Sequence, residues 1–252
     1  MIPDMVRVIF VLALVAGVPA LSYSTARDPD LRRVPRRALY LSAVLSQWLL
    51  AVMGLAFVAF VLRSFGAAGF RGLGLESFTG WTLALTLPAC AALVGMIALE
   101  RRGLWPPESE LVHLLLPETS GERVWCLLVV APTAAFCEEF LYRGVLLYQV
   151  AEWTRWSGWA VIVASAAFGL AHAYQGLNGM VRAALLGALL AAPVVLTGSL
   201  YPSMAAHFLI DAVALVWLGP RMLAPLGPRP AEPAEPSEVD RVDQAEGGDS
   251  QA

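Results

Sequence analysis

The sequence predicts an all-α fold: a polytopic transmembrane bundle of about seven helices, ending in a disordered acidic C-terminal tail. Two observations carry that prediction. Hydrophobic residues make up 58% of the chain and charged residues 15%, where a soluble domain sits nearer about 45–50% and about 25%. The charges also crowd into short stretches and leave long apolar runs between them. Those runs approach the roughly 20 residues a helix needs to cross a bilayer core. Irregular backbone cannot face lipid, so each run is read as a helix that satisfies its own hydrogen bonds.

Seven runs result, at 3–23, 38–62, 81–99, 124–150, 158–172, 180–197 and 203–218. The first resembles a secretory signal at Val18-Pro19-Ala20, but its charges are reversed. Only Arg7 lies near its start, while Arg27, Arg32, Arg33, Arg36 and Arg37 follow it. Arginines clustered in a short loop mark that loop as cytoplasmic, so the run is kept as a first helix with its N-terminus outside. Alternation then places the connection 100–123 in the cytoplasm and the loop 63–80 outside. Trp105, Leu111, Val112, Leu114, Leu115 and Leu116 suit a short piece lying along the interface. Pro132 falls inside the fourth run and predicts a kink there. Beyond 219, acidic residues accumulate among Pro, Ala, Gly and Ser, a composition that cannot offset its own ordering entropy. The expected organisation is N-terminal helices and a cytoplasmic connection over 1–121, a second helix set over 122–219 and the disordered tail over 220–252.

Several function classes are excluded by what the chain lacks. It has no glycine-rich phosphate loop, no dinucleotide fingerprint, no internal repeat and no basic patch, so no nucleic-acid partner is expected. Its first partner is the lipid bilayer. Cys90, Cys126 and Cys137 lie in apolar runs without metal-ligand spacing. Cys137 stands beside a carboxylate pair, yet a buried cysteine is usually a small core residue. His113, alone in a linker, is left out of the chemistry.

Ionisable residues inside apolar helices cost roughly 2.5–3.5 kcal/mol each on insertion scales, so they persist where they pair, line a cavity or do chemistry. Three sets stand out: Glu138-Glu139-Phe140-Leu141-Tyr142-Arg143, then Phe168-Gly169-Leu170-Ala171-His172, then His207-Phe208-Leu209-Ile210-Asp211. Glu139 and Arg143 are four residues apart and share a helical face, which predicts a structural ion pair. Glu138 is turned about 100° from Glu139 and is expected to point elsewhere, free to act as a general base. His207 and Asp211 are also four apart, so the carboxylate can orient the imidazole or share a ligand with it. Phe168, one turn before His172, is placed to hold that ring. If the three helices converge, Glu138, His172, His207 and Asp211 surround one wet pocket that can activate water, with or without a metal ion. For the two histidines to meet, the stretch 173–179 must stay within the bundle or the helices must tilt strongly.

At these residues the chain resembles a known family. EExxxR, then FxxxH, then HxxxD, in that order and all in apolar runs, is similar to the CPBP family. That family takes in the type 2 CAAX prenyl endopeptidases and the bacteriocin-processing and abortive-infection-like membrane proteins. Phe140-Leu141-Tyr142-Arg143-Gly144 and Ser199-Leu200-Tyr201-Pro202 strengthen the resemblance, which covers about residues 122–218. It implies an intramembrane endopeptidase acting on a membrane-embedded peptide or protein, with Glu138 and His172 activating the attacking water. His207 and Asp211 then stabilise the oxyanion or complete the site. The type 2 CAAX enzymes typically carry Asn where Asp211 stands, and an ionised Asp cannot donate to an oxyanion. The family has been described both as metalloproteases and as metal-independent glutamate proteases. Zinc or another divalent metal on Glu138, His172, His207 and Asp211 is the expectation that Asp211 favours. The expected location is multi-pass in a bacterial cytoplasmic membrane. The alternative readings are a non-catalytic membrane chaperone or bacteriocin-immunity protein of the same fold, and a transporter with a carboxylate proton relay.

Overall fold

The computed structural model describes residues 2–106 and 109–219. The expected tail at 220–252 lies outside the described residues. Within them the chain is helical, with no strand. In order, α1 is Asp4–Ala26, α2 Arg36–Leu62, α3 Leu75–Arg101, α4 Glu110–Leu115, α5 Ser120–Thr154, α6 Ser157–Ala171, α7 Ala173–Thr197 and α8 Tyr201–Leu218. All seven apolar runs are therefore helices. Among the described residues, six of these helices are long and apolar enough to cross a membrane. The exception is α6, the fifth run, with 15 residues.

The long helix α5 organises the bundle. Its start is fixed by a capping box in which the Thr119 hydroxyl accepts from the Glu122 N–H and the Glu122 carboxylate accepts from the Thr119 N–H. The backbone widens to π turns over Cys126–Val130, just ahead of Pro132. That widening is where α5 absorbs the N–H that proline lacks. A second π stretch, Glu139–Leu146, begins immediately after Glu138.

The interface segment is tied down by side chains. Arg36, at the start of α2, donates to the Leu114 carbonyl at 2.9 Å and pairs with Glu118 at 2.6 Å. The Tyr40 hydroxyl donates to the Leu115 carbonyl at 3.0 Å. Ahead of that segment, the Trp105 indole N–H donates to Asn178 Oδ1 at 2.6 Å, joining the connection to α7.

The connection between α2 and α3, expected as an outside loop, folds into the bundle. Ala68 is fully buried, and the Phe70 ring stands 5.5 Å from Phe140 and 6.4 Å from Tyr201. Gly69, at φ +85°, occupies the left-handed region that glycine tolerates, and its carbonyl accepts from the Leu200 N–H at 2.9 Å. Leu200 in turn presses on Gly144 of α5, so α8 starts level with Gly144. Gly144 lies ten residues before Thr154, or about 15 Å along α5.

That depth answers the question of how the two histidines meet. The short α6 turns back beside the end of α5 and descends about 22 Å before stopping at His172. Glu138 lies 16 residues, about 24 Å, from the same end of α5. The chain then reverses over 172–176 without leaving the bundle. His207 is reached by the second turn of the sunken α8.

Close approach at Gly144 is thus a structural requirement. A Cβ there would stand 2.7 Å from the Ala68 carbonyl oxygen and 3.0 Å from Leu200 Cδ1. Gly144→Ala should lower the melting temperature in detergent, with an overpacking cost of about 1–3 kcal/mol. Gly80→Ala, inside α3 where a Cβ meets nothing within 4 Å, should not lower it.

Candidate active site

Glu138 Oε2 is the hub of the polar cluster. His172 Nε2 lies 4.0 Å from it and His207 Nε2 3.9 Å. Asp211 Oδ2 is 3.6 Å from His207 Nε2. The four residues singled out by their improbable place in apolar helices are brought together from α5, the end of α6, and α8. Their setting is only partly closed: the Glu138 side chain is 17% exposed and that of Asp211 26%.

Each imidazole is held through its other nitrogen. His172 Nδ1 is 2.8 Å from the Phe168 carbonyl. A carbonyl only accepts, so Nδ1 carries the hydrogen and a neutral His172 presents a lone pair at Nε2. The Phe168 ring meets His172 edge-on at 4.5 Å, and Tyr174 stacks on its other side at 5.9 Å. His207 Nδ1 is 2.8 Å from Glu139 Oε1, so it donates to a carboxylate and its Nε2 also faces the hub.

The Glu139–Arg143 pair forms at 3.0 Å with both side chains withdrawn from solvent, at 0% and 1% exposure. It is more than a clasp within one helix. Arg143 Nε donates to the Gly187 carbonyl of α7 at 3.4 Å, and its guanidinium lies 4.1 Å over the Phe168 ring of α6. Glu139, and not Asp211, is the carboxylate that orients His207 through Nδ1. Glu138 and Glu139 therefore do not serve separate places, as a turn of about 100° per residue suggested. The His207 ring sits between them and meets both.

Glu138 is not free of partners either. The Gln47 amide N–H, from α2, donates to Glu138 Oε1 at 2.6 Å. Gln47 was missed, although a lone amide inside Leu45-Ser46-Gln47-Trp48-Leu49 is the same anomaly that flagged the other residues. The next residue, Trp48, donates its indole N–H to the Thr133 hydroxyl of α5 at 3.2 Å. Cys137 is wholly buried in the apolar core.

The donor set can be tested against a metal ion. Zinc bonds to N and O of about 2.0–2.2 Å place tetrahedral donors about 3.3 Å apart, whereas the separations here are 3.6, 3.9 and 4.0 Å. Among the described residues no three His, Cys, Asp or Glu side chains form a group spaced to hold an ion. The residues as placed do not fit a metal ion. One water, hydrogen-bonded at about 2.8 Å to each partner, spans such a gap.

Residues 120–213, from the start of α5 into α8, match a family model described as Type II CAAX prenyl endopeptidase Rce1-like. No curated protein and no solved structure gives a match. The matched segment, well under half of the chain, is thus similar to the CAAX-type intramembrane proteases. With six apolar helices long enough to span, the chain is an integral, multi-pass membrane protein.

The buried pair yields a stability prediction. Removing one partner of a buried ion pair leaves an uncompensated charge, at a cost of about 3–5 kcal/mol. Arg143→Met should therefore unfold the protein at a markedly lower temperature in detergent. Adding Glu139→Gln to it should recover part of the loss, because the stranded carboxylate is then gone.

Proposed function

We propose that this chain, whose residues 120–213 carry the CAAX-type protease match, is an intramembrane endopeptidase that cleaves a membrane-associated peptide with water activated by Glu138 and His172. The observation that supports the reading is the convergence of two imidazole Nε2 atoms within 4.0 Å of one carboxylate oxygen. Each imidazole is fixed through its Nδ1 by an acceptor.

A water between Glu138 Oε2 and His172 Nε2 meets two acceptors. Both its hydrogens are then engaged and an oxygen lone pair is left aimed at the substrate. Glu138 takes one proton as that oxygen forms a bond to the scissile carbonyl carbon, and the carbonyl π electrons move onto its oxygen. His207 has its Nδ1–H committed to Glu139, so as imidazolium it presents a second N–H at Nε2 to that oxyanion. Asp211, 3.6 Å from the same nitrogen, balances the charge; as a carboxylate it cannot itself donate. Collapse of the tetrahedral adduct breaks the C–N bond, and Glu138 returns its proton to the departing nitrogen. The chemistry is of the glutamate type, with the carboxylate as base and then acid.

The test uses purified protein in detergent micelles and an internally quenched, farnesylated peptide ending in a CAAX sequence, with its unprenylated twin alongside. Glu138→Gln and His172→Ala should each reduce cleavage by about 10²–10⁴-fold. Cleavage by Glu138→Gln at the rate of the unaltered protein would end the proposal. Chelation with EDTA or 1,10-phenanthroline should leave the rate unchanged, and elemental analysis should find metal well below one ion per chain.

A further inference from the structure

The two glutamates at the centre of α5 are neighbours in sequence but are held in different ways. Glu139 has a full cation, Arg143, at 3.0 Å and an imidazole nitrogen at 2.8 Å. Glu138 has a neutral amide, Gln47 Nε2, at 2.6 Å on Oε1. The oxygen left over, Oε2, is the one that faces His172 and His207. Gln47 belongs to α2, which lies outside the segment 120–213 that matches the protease family.

From this division of the two oxygens we infer that Gln47 is a positioning residue for the reaction: it anchors Glu138 Oε1 so that Oε2 is presented to the water and the two imidazoles. The inference rests on the protease reading above. An amide suits this task for a physical reason. A carboxylate accepts and does not donate when ionised, so the amide must turn its N–H₂ toward it. The bond fixes the plane of the carboxylate while leaving its negative charge unpaired, whereas a guanidinium in that place would do to Glu138 what Arg143 does to Glu139. Gln47 also arrives in a fixed register. Trp48 bonds Thr133 at 3.2 Å and stacks on Phe136 at 5.4 Å. Two turns further along the same face, Gly54 lets α2 close on α5, since a Cβ there would stand 2.9 Å from both Phe140 Cε1 and Leu141 Cδ2. Helix α2 thus supplies a side chain to the chemistry as well as packing.

Gln47→Met keeps the length of the side chain and removes its donor. On the farnesylated CAAX peptide it should lower kcat by about 10- to 100-fold, the effect of losing a hydrogen bond to a charged group, with KM within about twofold. Leu45→Ala, at an outward-facing position of the same helix, should keep kcat. A second readout needs no turnover. Dicyclohexylcarbodiimide modifies carboxyls in apolar surroundings, and its addition to Glu138, located by fragment mass spectrometry, should run about threefold or more faster in Gln47→Met, whose carboxyl has lost its hydrogen-bonded anchor. Wild-type kcat in Gln47→Met beside an inactive Glu138→Gln would overturn the positioning role and leave the protease reading standing. An unchanged labelling rate would overturn the positioning role as well, even for a peptide that is never cut. Full cleavage by Glu138→Gln would remove the protease reading and this role with it.

Discussion

A carboxylate and a guanidinium withdrawn from water inside an apolar bundle interact strongly, and at high cost unless every remaining polar atom finds a use. Glu139 and Arg143 offset part of that cost by reaching outside their own helix, while Glu139 Oε2 is left buried without a hydrogen-bond partner. Arg143 touches the Gly187 carbonyl of α7 and the Phe168 ring of α6, while Glu139 holds the His207 ring of α8. One ion pair therefore braces α5 against three other helices. It also fixes the two aromatic groups that frame the candidate site, since Phe168 carries the carbonyl that orients His172. Loss of the pair would scatter the cluster before any substrate arrived.

Convergence of the cluster also depends on helices of unequal reach. With every apolar run a full-length span, His172 and His207 would stand near opposite ends of the bundle. Instead α6 is short and α8 starts deep, held there by the Leu200 N–H on the carbonyl of Gly69. The segment 63–74 fills the space above the start of α8. Non-helical backbone at such depth is tolerated when it is buried in protein, and the full burial of Ala68 meets that condition.

The sequence made the fold class and much of the candidate site readable for one reason: a membrane penalises polar side chains so heavily that each exception stands out. Glu138, His172, His207 and Asp211 were visible as exceptions on three separate helices, and spacing of four residues joined Glu139 to Arg143. What spacing on a single helix could not supply was the identity of a partner on another. The orientation of His207 by Glu139, a contact 68 residues apart, and the hold of Gln47 on Glu138, 91 residues apart, are non-local choices. Gln47 was an anomaly of the same kind but had no motif beside it. Its meaning came only from the helix it faces. The widened turns of Glu139–Leu146 are a further departure, because arithmetic at about 100° per residue assumes a regular α-helix.

The contrast between Glu138 and Glu139 shows how one residue type acquires two tasks at adjacent positions. Each meets the same imidazole, one near Nε2 and the other at Nδ1, so the difference is set by their other partners. A cation and a ring N–H converge on Oε1 of Glu139 and leave that carboxylate as a fixed counter-charge. A neutral amide takes one oxygen of Glu138 and leaves the second facing the open side of the cluster. Exchanging the two partners would reverse the tasks. A guanidinium on Glu138 would quench the one carboxylate placed beside both imidazole Nε2 atoms, and an amide on Glu139 would leave a buried charge uncompensated. The placement of Arg143 one turn beyond Glu139, on the face turned toward α6 and α7, is therefore what keeps Glu138 available for proton transfer.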